Sequence, residues 1–557
     1  MTERFPGLAA LARKLSAYWR PWIACWAVIG TLAAAAVALG PLEGVPHVQD
    51  EVVYQFQARL LAQGRLWEEE LLPRAAHHYE FVINADGRRY GVFPQGWPAL
   101  LAIGVLLGVP FLVNPLLHGA TVVAGAWLAL RTSGKAAAFL AAPLLSLSPA
   151  LLIQGASRMS HVACGLLALL ATGLVLTGEP RRGVALLAGG AVGWVWLTRP
   201  LDGLVLTLVL GVATLWTRRA RSLRHALIPI ALAILLLGLL NLVLEGSPWR
   251  FPQTAWFARG EPPHPGTAWR YSSQCNDLGF GPGHGCMPVW GVTDHSITRG
   301  IEHSWLNWKL AGSLWYGAWP LALLSAAAWL ERSARPLLLT CLGLFLALTL
   351  GYSAYWFHGA CYGPRFLHSA APMALVVFAI GSCSLARRVR VPVVLGLLLL
   401  LAFAERMPAV LSELRGYWGV DGRLERLEQR WDRGPALMFV AYGGGRPNIW
   451  RTLPQTSEPL TTYPATLRRA MWFDRSSVLL KYAEYQPRLV DEIVRRWPGR
   501  RAYVMVLHDQ RKLDYFVPLE TLPRDERQVR ELPVPQLVPF LFEPLSGGTS
   551  LQRYYDP

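Results

Sequence analysis

Residues 22–64 read WIACWAVIGTLAAAAVAL, then GPLEGVPHVQ, then DEVVYQFQARLLAQG. From Trp22 to Leu39 no residue is charged, and a block of that length spans the hydrocarbon of a bilayer as a helix. Arg4, Arg13, Lys14 and Arg20 precede it, and it runs into Gly40, Pro41, Leu42 and Glu43 without a small-residue cleavage site. It therefore reads as an uncleaved first span with the N-terminus inside. The polar segment that follows opens on Asp50 and Glu51. Val53, Phe56, Leu60 and Leu61 then recur at helical spacing and Gly64 supplies a stop, which predicts an amphipathic helix lying along the membrane surface.

The rest of the chain repeats the first block. Apolar stretches long enough to span follow at 114–130, 136–153, 161–177, 183–197, 202–216, 225–244, 316–330, 337–356, 366–382 and 391–406. With 53% hydrophobic and 16% charged residues in 557, the chain is too apolar for water on all sides, which excludes an ordinary soluble protein. Its net charge of +17 does not mark a nucleic-acid binder, because the basic residues sit in short runs between apolar blocks: RTSGK, EPRRG, TRRARSLR, ERSAR and LARRVR. All of these runs fall on the cytoplasmic side if Trp97–Val113, which carries Pro98 and Pro110, does not cross and instead lies on or dips into the outer leaflet. The fold expected is an all-α polytopic membrane domain of about eleven transmembrane helices.

That threading places every polar constellation on one outer face, including loops 41–113 and 246–304. The loop at 246–304 is rich in Gly, Pro, His and Trp and too long for a passive connector. Residues 1–406 thus form the membrane domain. Beyond 407 the composition changes, and runs such as PALMFVAY and RAYVMVLH predict a small C-terminal periplasmic α/β domain over 407–557. Cys275 and Cys286, in the long loop, are candidates for a disulfide in an oxidising compartment.

Among the chemistry-bearing residues Asp50 and Glu51 stand first. Asp50 can simply cap its helix. Alternatively, a carboxylate fixed at the outer boundary can take a proton from a hydroxyl that attacks a sugar carbon, where a lipid-linked donor presents its phosphate. Arg199 in WLTRPLD and Arg365 in CYGPRFLHS each stand beside a proline at that boundary and read as a phosphate clamp or as snorkelling anchors. Lys309 is a further phosphate contact, and Tyr362 and His368 flank Arg365 as substrate contacts. His161 with Arg158, in QGASRMSH, either holds structure or positions an acceptor. Tyr90, Gln95 and Trp97, in RRYGVFPQGWP, either pack on a sugar or prenyl chain or form a turn into a surface helix. His284, His295 and His303 show no metal-ligand spacing, so no cofactor is expected and a divalent metal stays an unsupported alternative.

The pair Asp50-Glu51 after the first span, YGVFPQGWPALLA, SRMSH, TRP at Arg199 and YGPRFL at Arg365, in that order over about 400 residues, resemble the GT-C class of membrane glycosyltransferases. The likeness is to bacterial proteins related to the protein O-mannosyltransferases and the aminoarabinose lipid A transferase, of the glycosyltransferase family 39 kind. It implies an inverting transfer from a polyprenyl-phosphate sugar to a lipid, glycan or protein acceptor in the inner membrane, with Asp50 as base and no nucleotide-sugar site. Arg158, Ser160 and His161 stand where many relatives carry a second acid, which argues against a metal-assisted route. Phe93 and Gln95 replace the usual Tyr and second Pro. The competing readings are a ligase or polymerase using a diphosphate carrier, and a transporter or flippase, which would be expected to show internal repeats and midplane polar residues.

Overall fold

The computed structural model describes residues 18–389, apart from 73, 75–80, 180, 218–219, 260–273, 288–291 and 316–317, and then 407–415, 417, 436–443, 480–484, 487–508 and 513–521. The expected span at 391–406 lies outside the described residues. At the other apolar blocks the chain is helical: α1 (Trp19–Leu39), α4 (Val113–Ser133), α5 (Lys135–Leu147) with α6 (Pro149–Ala156), α7 (His161–Thr177), α8 (Arg182–Thr198), α9 (Pro200–Trp216), α10 (Ala220–Glu245), α13 (Ala318–Ala327), α14 (Arg335–Ser353) and α15 (Ala371–Val389). Four of the described helices are long and apolar enough to cross a membrane unaided, and the α5–α6 pair adds a fifth, bent by 53°. The bend has a local cause, since Ser148, ahead of Pro149, is held out of the helical region at φ −59°, ψ 122°. Helices α7, α8 and α9 have 17 residues each. At 1.5 Å per residue that is about 26 Å, close to the ~30 Å hydrocarbon core. The exposed side chains along α9, α10 and α14 include Leu208, Val212, Leu232, Leu235 and Leu350, which belong against lipid. The chain is a multi-pass membrane protein.

Where helices meet, small residues let the backbones approach. Ala126, Ala129, Ala137, Ala138, Ala141 and Ala142 are all buried on α4 and α5. Gly189 and Gly381 sit so close to a neighbouring helix that a Cβ would overlap the carbonyl oxygens of Ala226 and Leu324.

The described residues of loop 41–113 build a layer over the helices. Its elements are α2 (Gln49–Ala62), β1 (Glu68–Glu69), β2 (Val82–Ala85), β3 (Arg88–Gly91) and α3 (Gly96–Leu106), with the strands in antiparallel order β1-β3-β2. The surface helix expected over 50–64 is corrected here. Helix α2 is covered on every side, and Gln49, Glu51, Gln55 and Gln57 are buried along with Val52, Val53, Phe56 and Leu60. Its amides find partners, as when Gln57 Nε2 donates to the Phe93 carbonyl at 2.7 Å, so the polar face that read as solvated is a packed interface. Helix α3 has 11 residues, about 16 Å, too short to cross.

The amphipathic surface helix lies elsewhere. After the hairpin β4 (Gly281–Met287) and β5 (Val292–His295), α12 (Ile297–Leu314) is capped by Ser296, whose Oγ accepts from the Arg299 amide at 3.2 Å. Ile297, Ile301, Trp305 and Trp308 form an exposed apolar stripe along it, while Gly300, Asn307, Ala311 and Gly312 are buried opposite. In the tail, β6 (Ala436–Gly443), β7 (Leu480–Glu484), β8 (Arg501–His508) and β9 (Leu513–Pro518) pair in order β7-β6-β8-β9, with only β8–β9 antiparallel.

Gly381→Ala forces α15 away from the Leu324 carbonyl and is expected to cost on the order of 1–3 kcal/mol. A lowered thermal midpoint in detergent checks this, and an unchanged midpoint refutes the close approach.

Candidate active site

The site begins with the entry to α2. Val48 is extended (φ −124°, ψ 154°) and the helix starts at Gln49. Glu51 turns back to serve the orphan amides of that first turn, with Oε2 accepting from the His47 amide at 2.8 Å and the Val48 amide at 3.2 Å. It also accepts from the Arg158 amide at 2.6 Å and the Tyr362 hydroxyl at 2.9 Å. Buried to 1% exposure, the carboxylate is saturated by four donors. Capping therefore falls to Glu51. The expectation that Glu51 shares the catalytic role with Asp50 meets a group with no face left for substrate.

Asp50 points the other way. Its Oδ2 accepts from Arg365 Nη1 at 2.8 Å, with 18% of its side chain and 13% of the arginine's exposed. The Arg365 guanidinium lies 5.1 Å from the Phe357 ring centre and 5.4 Å from that of Phe366. The Arg199 guanidinium lies 5.8 Å from the same Phe366 ring and 5.6 Å from Tyr352. One aromatic ring thus has both cations within cation–π range. Burial, and next the Asp50 charge, push the Tyr54 phenol on α2 up, so it stays protonated beside this cluster, 3.4 Å from Ser160 Oγ.

Arg199 occupies the non-helical residue between α8 and α9 (φ −142°, ψ 90°). Its Nε stands 3.2 Å from Asp202 Oδ1, one Nη donates to His161 Nε2 at 2.9 Å and the other to the Tyr352 hydroxyl at 2.5 Å. Asp202, 2% exposed in the first turn of α9, also accepts from the hydroxyls of Tyr352 and Ser369. Because a guanidinium only donates, His161 presents an unprotonated Nε2, and its protonated Nδ1 is buried without a partner. Its ring stands edge-on to His368, 6.5 Å away.

No protein-family model matches the chain, and no curated protein matches it. Among solved structures, ArnT from Cupriavidus metallidurans bound to undecaprenyl phosphate superposes with a TM-score of 0.50 at 14% identity, over 87% of this chain and 93% of that one. The chain has the GT-C fold. Other GT-C glycosyltransferases match less closely in shape. The oligosaccharyltransferase of Archaeoglobus fulgidus, in complex with Zn and sulfate, has a TM-score of 0.46 at 15% identity over 75% of this chain, which spans 60% of that protein's length. Mycobacterial arabinofuranosyltransferase AftD has a TM-score of 0.39 at 18% identity, over 88% of this chain and 35% of its own.

Within this GT-C chain several expected substrate contacts are engaged elsewhere. Trp97 is fully buried and its indole donates to the Arg158 carbonyl at 2.9 Å. Arg158 itself donates to Gln55 Oε1 at 2.9 Å and to the Gly44 carbonyl at 2.5 Å. The Tyr90 hydroxyl donates to Glu245 Oε1 at 2.9 Å, at the end of α10. Gln95 is buried at the N-cap of α3. Tyr362, at φ 53°, stacks on Tyr417 at 4.6 Å while holding Glu51. Lys309 is exposed on α12 and makes no hydrogen bond or ion pair with a described residue of the cluster. Packing within the protein supplies Trp97, Arg158, Tyr90 and Tyr362 with partners before any ligand arrives. Cys275 and Cys286 are joined in a disulfide, Cα–Cα 5.0 Å. Among the described residues no group of three or more His, Cys, Asp or Glu is arranged to hold a metal ion.

Asp202, Tyr352, Tyr54 and Phe366 were not singled out in the sequence. Asp202 had a local signal, an acid three residues after Arg199 and just past a helix-starting proline. Tyr352 and Phe366 had none, since their place depends on how α14 and the 359–367 turn pack.

Glu51→Ala leaves four donors facing a void and is expected to lower stability by on the order of 3 kcal/mol. Asp50→Asn, whose amide oxygen can still accept from Arg365, leaves one charge without its counter-ion and is expected to cost less. Thermal unfolding of both variants in one detergent checks the contrast, and equal losses would show that the two acids share one role.

Proposed function

We propose that the protein is an inverting glycosyltransferase that moves a single sugar from a polyprenyl-phosphate donor to a hydroxyl of a periplasmic or lipid acceptor, at the outer face of the bacterial inner membrane. The observation that carries this reading is the Asp50–Arg365 pair, two residues 315 positions apart joined at 2.8 Å in a partly open position. The ArnT structure of the same fold holds undecaprenyl phosphate.

In this mechanism the donor's phosphate competes with Asp50 for Arg365. As the guanidinium turns to the phosphate, the carboxylate is released to accept the acceptor's hydroxyl proton. The acceptor oxygen bonds to the anomeric carbon from the face opposite the phosphate. The carbon–oxygen bond to the phosphate then breaks and its electron pair leaves with the carrier, giving inversion. Phosphate is a competent leaving group, so no general acid is required, and Arg365, with Arg199 across Phe366, stabilises the charge that develops. Arg199 is pre-set for this by Asp202, His161 and Tyr352.

The N-terminus is cytoplasmic in this arrangement. Residues 1–406 carry the chemistry and 407–557 form a soluble domain on the outer side, where Tyr417 already touches the site through Tyr362.

Purified protein incubated with radiolabelled prenyl-phosphate sugars and membrane lipids should transfer label. Asp50→Asn should fold and lose on the order of 10²–10⁴-fold in rate, and Arg365→Ala should weaken donor binding. An active Asp50→Asn enzyme, or unchanged donor binding in both Arg199→Ala and Arg365→Ala, would overturn the assignment.

A further inference from the structure

The ring of His47 lies between two backbone carbonyls. Its Nδ1 stands 2.8 Å from the Tyr417 oxygen and its Nε2 stands 3.0 Å from the Leu42 oxygen. His47 belongs to the loop that leads from α1 into α2 and is fully buried. Tyr417 follows α15 in the chain, at the end of a stretch that is helical over 407–414. We propose that His47 and Tyr417 are positioning residues for Arg365: the charged imidazole clamps residue 417 onto the turn that presents Arg365 to Asp50, and loss of its proton loosens that hold.

A carbonyl oxygen accepts and never donates, so each contact needs an N–H from the ring. A neutral imidazole has one such hydrogen and an imidazolium has two. The neutral ring therefore serves either Tyr417 or Leu42 and turns a lone pair on the other, whereas the charged ring serves both. The Leu42 carbonyl also accepts from the Val45 amide at 3.0 Å, which fixes it in the turn after α1. Proton binding and the seating of residue 417 thus favour each other. The hold is strongest at low pH and weakens as the pH rises and the proton leaves.

The elements packed around the ring bring both signs of charge. Glu51 on α2, whose carboxylate binds the His47 amide, supplies a counter-charge, while Asp50 is turned to Arg365. Arg158, from the turn before α7, opposes it with a guanidinium on the Gly44 carbonyl at 2.5 Å. Glu43 in the turn after α1, and Glu413 and Arg415 ahead of Tyr417, are exposed to solvent. Cys361 and Tyr362 face it from the turn before α15. Burial, and next the Glu51 charge, push the Tyr362 phenol up, and burial pushes the Cys361 thiol up to about 12. Neither therefore changes charge where imidazoles do, between about pH 5 and 8.

Tyr417 carries the clamp to the site. Its ring stacks on Tyr362, centres 4.6 Å apart, and its hydroxyl accepts from the Tyr362 amide at 2.9 Å. Tyr362 gives its own hydroxyl to Glu51 at 2.9 Å. Its backbone is left-handed at φ 53°, a conformation that a tyrosine keeps only where its surroundings hold it. Arg365 continues the same turn, its amide donating to the Gly363 carbonyl at 2.9 Å. Val410 and Leu414 are buried in one core with Val45, Val48 and Val52, so apolar contact seats the segment and the imidazole adjusts how firmly its end is held. The consequence for catalysis rests on the transferase reading, in which Arg365 must meet the donor's phosphate.

The test titrates full-length protein carrying nitrogen-15 histidine, in lipid bilayers, from about pH 5.5 to about pH 8.5 by solid-state NMR, with His47→Gln identifying the His47 signal. Both ring nitrogens should carry hydrogen at the acidic end, and one should lose it towards the alkaline end. Hydrogen–deuterium exchange of the wild-type peptide spanning 407–417, corrected for its intrinsic pH dependence, should quicken over that range on the order of fivefold, the factor one hydrogen bond is worth. In His47→Gln it should stay flat. Wild type should hold bare undecaprenyl phosphate on the order of fivefold tighter than His47→Gln at the acidic end and match it at the alkaline end, a ratio from which the titration of the lipid's own phosphate cancels. Tyr417→Phe, which keeps the carbonyl and loses the hydroxyl, should leave the His47 titration in place and weaken carrier binding at every pH. A His47 ring that keeps one proton or two throughout, wild-type exchange that ignores pH, a constant binding ratio, or unchanged carrier binding in Tyr417→Phe would overturn the clamp. Wild-type exchange needs neither a variant that folds nor a substrate. A protein that binds no carrier at any pH would therefore sink the transferase reading while the clamp is still decided.

Discussion

A single buried carboxylate organises one face of this protein. Glu51 receives donors from His47, Val48, Arg158 and Tyr362, and so ties the entry of α2 to the turn before α7 and to the loop before α15. Successive helical residues point about 100° apart. Once Glu51 is drawn inward, Asp50 must look outward, and it does so straight at Arg365. The direction of the candidate base is therefore set by the residue that does not react. A buried carboxylate is stable only when its lone pairs are filled, and that same requirement makes the junction rigid.

The two arginines illustrate how such charges are kept at a membrane boundary. Each is partnered by a carboxylate: Arg365 by Asp50 in a partly open setting, Arg199 by Asp202 in a closed one. The closed pair is reinforced by Tyr352, Ser369 and His161 and behaves as fixed framework. Among the described residues the open pair shares a single hydrogen bond, so an incoming anion can compete for it. Polarity falls away from there, from ion pairs at the centre to the exposed apolar stripe of Ile297, Ile301, Trp305 and Trp308 on α12.

Reading α2 as a surface helix failed for an instructive reason. Its glutamines looked solvated, yet Gln55 and Gln57 are buried because Arg158 and the Phe93 carbonyl meet them. Polar residues report the need for a partner and do not say whether that partner is water or protein. The same ambiguity placed Trp97, Tyr90 and Arg158 among substrate contacts when each has a partner within the protein. The true surface helix, α12, carries its apolar residues at Ile297, Ile301, Trp305 and Trp308, a pattern masked by the polar residues between them.

What the amino-acid order decided alone was the helices and their environment. Long uncharged blocks leave a chain no choice but a lipid-facing helix, and prolines such as Pro149 and Pro200 mark breaks that any tertiary structure must respect. The importance of Asp50, Arg199 and Arg365 was also visible, because a charge beside a span is costly unless used or paired. Which acid meets which base was decided only by packing. Asp50 and Arg365 lie 315 residues apart, and Tyr352 reaches Asp202 across 150. No local signal encodes a contact whose energy exists only once distant helices have brought both partners out of water.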